Sequence, residues 1–246
     1  MLMRFEITYR VRGVAVFRRV AMPRSVFPAS EMSFEAGPYP HRELISLDDQ
    51  GQVVAKTLIA NFVHLFEEIP DEAKDLEILY VGKGTRDSAS DRLRSHSTLQ
   101  KILGDIGSND PDSEVFILIY SFEFKKSGIA LPGGSTDLAA ETAHLQAVHS
   151  FKPTTDQQVA LIEGACIAYF RPSRYNTQLL DFPQNSPKSV IETRPGDFFA
   201  ILVDLDNDPI GGIRTFSDNV NAASHHSIQV DLRNNRVIAN REWPLA

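Results

Sequence analysis

The chain has 246 residues, 42% hydrophobic and 23% charged, an ordinary globular composition with enough apolar mass for one sizeable core or two small ones. Its net charge of −7 excludes binding of nucleic acid by overall charge, because phosphate contacts need positive charge, and its one cysteine excludes an internal disulfide framework and a multi-cysteine zinc site. No apolar run reaches the ~20 residues of a membrane helix, and Met1-Leu2-Met3-Arg4-Phe5-Glu6 lacks the basic-then-apolar order of a signal peptide, so a cytoplasmic protein without membrane association is expected.

Phe5, Ile7, Tyr9 and Val11 alternate with Glu6, Thr8 and Arg10, which predicts a half-buried strand. Gly13 allows a turn into Val14-Ala15-Val16-Phe17, a hairpin partner. Four prolines, Pro23, Pro28, Pro38 and Pro40, then punctuate an irregular stretch. Glu43–Leu47 and Gln52–Val54 flank Asp48-Asp49-Gln50-Gly51, a second hairpin signal. Leu58, Phe62, Leu65 and Phe66 have helical spacing, which predicts a helix over 57–68. Leu76–Val81 reads as a strand ending at Gly82, and Ser88 with Asp91 as a helix start. Leu99, Ile102, Leu103 and Ile106 would form that helix's apolar face.

Val115–Phe124, β-branched and aromatic, predicts a buried strand. Helices are expected over 136–150 and, capped by Thr154 with Gln157, up to about Phe170, where Pro172 stops the chain. Val159, Ile162, Cys166 and Tyr169/Phe170 would be the buried stripe of the last helix. Phe198–Leu205 is strand-like, and Ser227–Leu232 with Arg236–Ala239 flank Asn234-Asn235 as a hairpin. The order of elements predicts an α+β fold, a small mixed or antiparallel sheet flanked by helices, with added β-strands at both termini.

Charge is uneven. From Lys83 to Lys101 there are five cations (Lys83, Arg86, Arg92, Arg94, Lys101) against two anions, whereas Glu67 to Glu77 holds six acids and one lysine. A basic island is what a phosphate backbone would meet, although mixed surface charge is its plainer reading. On the predicted helix Arg92 and His96, four apart, would share one face. Such a pair suits phosphodiester hydrolysis: the cation offsets charge on the phosphate oxygens and the imidazole moves a proton. The plainer alternative is a solvated helix surface. Glu163 sits beside its helix's apolar stripe, where a carboxylate needs a cation. That cation is either a metal such as Mg²⁺, which accepts a single protein carboxylate plus waters and phosphate, or a salt-bridge partner such as Arg171 or Arg174. Gly82 and Gly84 bracket Lys83, which lets a phosphate approach the backbone and the amine, or simply makes a turn.

Tyr80-Val81-Gly82, then Arg92 and His96, then Glu163 on a distant helix, then Pro172 and Arg174-Tyr175-Asn176 form an ordered set. Over residues 42–182 that set resembles the GIY-YIG nuclease family, and its last part resembles the repair-endonuclease branch. The resemblance implies a divalent-metal-dependent endonuclease hydrolysing DNA phosphodiester bonds, restriction-like or defensive. DNA is the expected partner, RNA the other nucleic acid to test, and a homodimer a possible assembly. It implies Glu163 as the ligand of Mg²⁺ or Mn²⁺, Arg92 as the stabiliser of transition-state charge, and a tyrosine, with or without His96, as the group that orients or deprotonates water. Asn176 would support the site, and Gly82, Lys83 and Arg94 would contact substrate phosphate.

The first signature of that family departs from its pattern. Gly37-Pro38-Tyr39 is the literal candidate, while Arg42-Glu43-Leu44 fits better by position in a hairpin. Tyr39 supplies the phenol, or Tyr80 acts alone, or the site is degenerate. The degenerate case gives the alternative function, a non-catalytic module binding nucleic acid or a protein. The expected division is residues 1–41 as an N-terminal β extension, 42–182 as the core with an insertion near 54–76, and 183–246 as a β-rich extension. Asp204-x-Asp206-x-Asp208 lacks the glycine and glutamate of a calcium loop. His225-His226 has no partner at zinc spacing, His144 and His149 are five apart, and Cys166 reads as core.

Overall fold

The computed structural model describes residues 2–11, 14–23, 33–39, 41–58, 74–84, 96–125, 138–186, 188–191, 198, 200–232, 234 and 236–240. The chain is α+β and divides into two compact units: residues 1–75 with 100–116, and residues 76–99 with 117–246.

In the first unit the N-terminal alternation forms the expected hairpin, β1 (Leu2–Val11) pairing antiparallel with β2 (Val14–Pro23). A second antiparallel sheet has the order β3 (Ser33–Ala36), β4 (Glu43–Leu47), β5 (Val53–Leu58). The turn between β4 and β5 is built by Asp48. Its Oδ1 accepts the backbone N–H groups of Gln50 (3.0 Å) and Gln52 (2.7 Å), the local bonding that makes aspartate a turn former. Gly51 takes φ 74° there, a conformation that costs glycine little. Thr57 and Leu58, expected to start a helix, belong to β5. They continue the ladder begun by Ala55 and Lys56, Thr57 opposite Leu44 and Leu58 opposite Glu43. The rest of that expected helix, 59–68, lies outside the described residues. Arg42, a candidate position for the degenerate first signature, pairs with Glu114 (3.4 Å) and donates to the carbonyls of Pro111 and Ser113.

Helix α1 (Ser97–Asn109) starts in the second unit and continues in the first. Ile102 is its buried residue, whereas Leu103 is 44% exposed, so the apolar face is narrower than its spacing implies. Residues 85–95, where the helix was expected to begin, lie outside the described residues.

The second unit is organised around one helix, α3 (Thr155–Phe170), which follows α2 (Leu138–Ser150). The capping box forms as its sequence predicts: Gln157 N–H donates to Thr154 Oγ1 (3.3 Å), and Thr154 N–H to Gln157 Oε1 (2.9 Å). From Ala160 onward the helix is buried nearly all round, through Ala160, Leu161, Gly164, Ala165, Cys166, Ile167, Ala168 and Phe170. The expected stripe is therefore corrected: Val159 and Ile162 are only half-buried, and small residues on the other faces go inside. Alanine and glycine were invisible to a count of large apolar side chains, but they let neighbouring backbone approach closely.

Those neighbours include a sheet of order β11 (Arg236–Asn240), β10 (His225–Asp231), β7 (Ala200–Asp206). On β7 and β10 alternate residues face in, with Val203 opposite Ile228 and Ile201 opposite Val230. Burying each large apolar side chain of this kind stabilises by about 1.5–3 kcal/mol. The C-terminal strands, expected as an added layer, thus supply the sheet on which α3 packs. Short helix α4 (Lys188–Ile191) adds Val190 to the same core.

His226 is inside this core, at 3% exposure. Its Nε2 lies 3.1 Å from the Thr215 carbonyl and 2.9 Å from Thr215 Oγ1, and its Nδ1 lies 3.1 Å from Tyr169 Oη. A carbonyl only accepts, so Nε2 carries the proton and Nδ1 accepts from Tyr169. Burial pushes the pKa of this ring below the usual histidine value. It is a satisfied core histidine, and among the described residues no three His, Cys, Asp or Glu side chains gather as a metal cluster.

A third sheet has the order β6 (Asp75–Glu77), β8 (Arg214–Ser217), β9 (Val220–Ala223). The expected strand 76–81 is thus shortened, though Ile78 N–H still donates to Phe216 O (2.8 Å). Val115–Phe124, expected as a buried strand, is assigned no strand, and Ile117 and Ile119 are 50% and 75% exposed. Side-chain type favours an extended backbone but does not provide a ladder partner.

Gly164 faces the Phe182 ring so closely that a Cβ would lie 2.7–2.9 Å from three ring carbons. Alanine normally gains up to ~1 kcal/mol over glycine inside a helix. Here Phe182 is buried at 3% exposure and cannot swing away, so overpacking wins. Gly164→Ala is expected to lower stability by about 1–3 kcal/mol, read as a fall in the urea midpoint; an unchanged or raised midpoint would contradict this packing.

Candidate active site

Tyr80, Val81, Gly82 and Lys83 run extended after β6, and the end of α3 brings Asn176 back to them. Arg171 closes the helix in the left-handed conformation (φ 49°), and Pro172 lacks the N–H to continue it. The Pro172 carbonyl accepts the N–H groups of Tyr175 (3.3 Å) and Asn176 (3.0 Å), a turn that reverses the chain. The Asn176 side chain then bonds both backbone groups of Val81: Val81 N–H donates to Oδ1 (2.9 Å), and Nδ2 donates to Val81 O (2.8 Å). A side-chain amide does here what a neighbouring strand would do. Asn176 is 7% exposed, and a buried amide with both ends satisfied is held firmly.

Within the clamped segment, Tyr80 and Gly82 are two apart and share one side of the extended backbone. The Tyr80 ring folds back over Gly82, where a Cβ would lie 2.6 Å from Cε1 and 2.8 Å from the hydroxyl oxygen. The glycine two residues after the tyrosine is therefore required by the ring's position. Tyr80 Oη lies 3.5 Å from His96 Nε2, a long contact, and the rings meet edge-on with centroids 5.5 Å apart.

His96 stands before α1, not inside it. Its Nδ1 accepts the N–H of Leu99 (3.4 Å), capping the helix. A backbone N–H only donates, so Nδ1 is an acceptor and the neutral ring carries its proton on Nε2, facing Tyr80. The expected one-face pairing of Arg92 with His96 depends on residues outside those described. Arg92 and Arg94 lie outside the described residues.

Glu163, one turn before Cys166 on α3, approaches the same segment from the helix side. Its partner is Lys83, with Nζ 3.6 Å from Oε2. Arg171 pairs instead with Asp181 (3.6 Å), and the Arg174 guanidinium lies 5.0 Å from the Tyr175 ring centroid. Burial raises the pKa of Glu163 above the ordinary glutamic value, and Lys83 partly offsets this. Burial, then the charge on Glu163, raises the Tyr80 phenol, while Thr98 lowers it. Burial and Glu163 push the Cys166 thiol up to about 12, so it is no nucleophile at neutral pH.

Tyr80, Gly82, Lys83, His96, Glu163 and Asn176 are thus gathered in the second unit. Tyr39 belongs to the first unit, in a turn and 71% exposed. Sequence reasoning missed two participants. Thr98 carried no motif, and Leu99 acts through its backbone. Tyr120, on the extended segment before α2, was also missed. It donates to Asn207 Oδ1 (2.6 Å), and burial raises its pKa.

As a cation site the group offers one carboxylate. Its side chain is 15% exposed, and the partial desolvation that raises its pKa favours a cationic partner. Mg²⁺ keeps several waters and is held through one or two carboxylates plus substrate phosphate, so the donor set fits that coordination and fits no all-protein cage. No family model, curated protein or solved structure matches the chain.

Two outcomes are expected. The folded-state pKa of Glu163 is raised, so its ionisation costs stability. The cost is absent below the ordinary glutamic value and grows as pH rises through the raised one. Glu163→Gln should therefore melt higher than the parent at pH 7, with the gap closing towards pH 4; a lower melting temperature at pH 7 would show that the Lys83 pair outweighs desolvation. Gly82→Ala should displace the Tyr80 ring and shift the His96 ring resonances in NMR, which an undisturbed spectrum would disprove.

Proposed function

We propose that the protein is a divalent-metal-dependent endonuclease of GIY-YIG type that hydrolyses DNA phosphodiester bonds, with a restriction-like or defensive role. The observation that carries this reading is the approach of Tyr80, Lys83, His96 and Glu163 within one unit, on a backbone clamped by Asn176. These groups come from positions up to 83 residues apart (163 − 80), and together they offer a cation ligand, a phosphate-binding amine and a proton-transfer pair.

In this reading Glu163 holds Mg²⁺ or Mn²⁺, which supplies Lewis acidity at the scissile phosphate. Lys83 binds a phosphate oxygen beside it. His96, its tautomer set by Leu99, presents Nε2–H to Tyr80 Oη. Burial keeps the phenol proton on Tyr80, so in this reading Tyr80 orients the attacking water instead of deprotonating it. Asn176 acts by position, since it touches backbone alone among its described hydrogen bonds. Arg92 and Arg94 are assigned to phosphate charge by the resemblance. Tyr80, already within the group, favours the version in which it acts without Tyr39.

The test is incubation with supercoiled plasmid and Mg²⁺ or Mn²⁺, beside an EDTA control. Nicked or linear product is expected with metal, none with EDTA, and background alone with Glu163→Gln. Tyr80→Phe should cost roughly a hundredfold or more in rate. Glu163→Gln cutting as fast as the parent would overturn the proposal. Salt-sensitive DNA binding with no cleavage would support the non-catalytic module instead.

A further inference from the structure

We propose that Lys83 is an exchangeable counter-ion that closes Glu163 to divalent cations until it is displaced. This rests on the reading of Glu163 as the cation-holding carboxylate. The two partners are unequally held. Glu163 projects from a helix buried nearly all round, and its side chain is 15% exposed; the Lys83 side chain is 47% exposed. Lys83 stands between two exposed glycines, Gly82 and Gly84, and its ammonium ends a flexible four-carbon stem. The ammonium can leave, whereas the carboxylate stays.

The contact itself is loose. At 3.6 Å it exceeds the ~2.7–2.9 Å of a well-made charge-assisted bond. The loop is held independently of the Lys83 side chain, by the Asn176 amide bonded to both backbone groups of Val81 two residues earlier, so exchange needs no loss of the local fold. An ammonium and a dication cannot share one carboxylate without strong repulsion, so the two occupancies exclude each other. A displaced Lys83 is a free cation next to the site where substrate phosphate would lie. A phosphate that takes the ammonium therefore favours cation binding, and the coupling is reciprocal.

The experiment is calorimetric titration of MnCl₂ into the full chain, for the parent, Lys83→Met, Lys83→Gln and Glu163→Gln, with circular dichroism to establish that each folds. Two neutral replacements at an exposed position guard against one that folds poorly. Both Lys83 variants are expected to bind Mn²⁺ roughly three- to tenfold more tightly than the parent, the gain from removing a partly screened positive charge. Glu163→Gln is expected to lose that binding. Unchanged or weaker binding in both Lys83 variants, with binding still lost in Glu163→Gln, would overturn the exchange alone and make the pair structural. Binding absent from the parent and from both Lys83 variants, or unaffected by Glu163→Gln, would overturn the cation site at Glu163 and the exchange with it.

Discussion

Two hydrogen bonds from one side chain hold the candidate site together. Asn176 satisfies both the N–H and the C=O of Val81, across 95 positions of sequence. Without that amide, a half-buried backbone would lack a partner for two strong polar groups. With it, the segment Tyr80–Lys83 lies fixed relative to the end of α3. The tyrosine, the glycine beneath its ring and the lysine facing Glu163 all take their places from this attachment. Ile78 N–H still bonds Phe216 O, whereas at Val81 the backbone's partner is a side chain.

A second constraint is the burial of α3. Its small residues let other elements pack at close range, and Gly164 against the Phe182 ring is the tightest such approach. A carboxylate on so enclosed a helix is desolvated, and the same desolvation reaches Tyr80, Cys166 and Tyr120. The local environment therefore opposes negative charge on every acid near it, while Lys83 supplies a partial offset. A half-buried carboxylate near a buried phenol is the feature from which the proposed function is argued.

Much of the local structure was legible from residue pattern. The capping box of Thr154 and Gln157, the Asp48 turn and the two hairpins are short-range devices whose chemistry is contained in a few neighbouring residues. The site residues Tyr80, Glu163 and Asn176 were legible as types at suggestive positions, but their partners were not. For Glu163 the sequence offers a metal or, as ion-pair partners near in sequence, Arg171 or Arg174; the ion pair it makes is with Lys83. His96 was read as one face of a helix, and it is the residue before the helix, using one ring nitrogen as a cap. Thr98 offered no signal, since an isolated threonine is ordinary until a phenol is beside it.

The amino-acid sequence by itself determined the α+β class and the bounds of several elements, such as β4, α3 and β11, because these depend on periodicity, capping and turn chemistry over a few positions. Tertiary structure alone decided which of those groups meet. It placed Lys83 on Glu163, bonded Val81 to the Asn176 side chain, left Val115–Phe124 without a ladder among the described residues and set the C-terminal strands against α3. The reason is physical: a local pattern specifies how a segment is bent and which side is apolar, whereas a long-range pairing is a competition among all available partners, settled by packing of the whole unit.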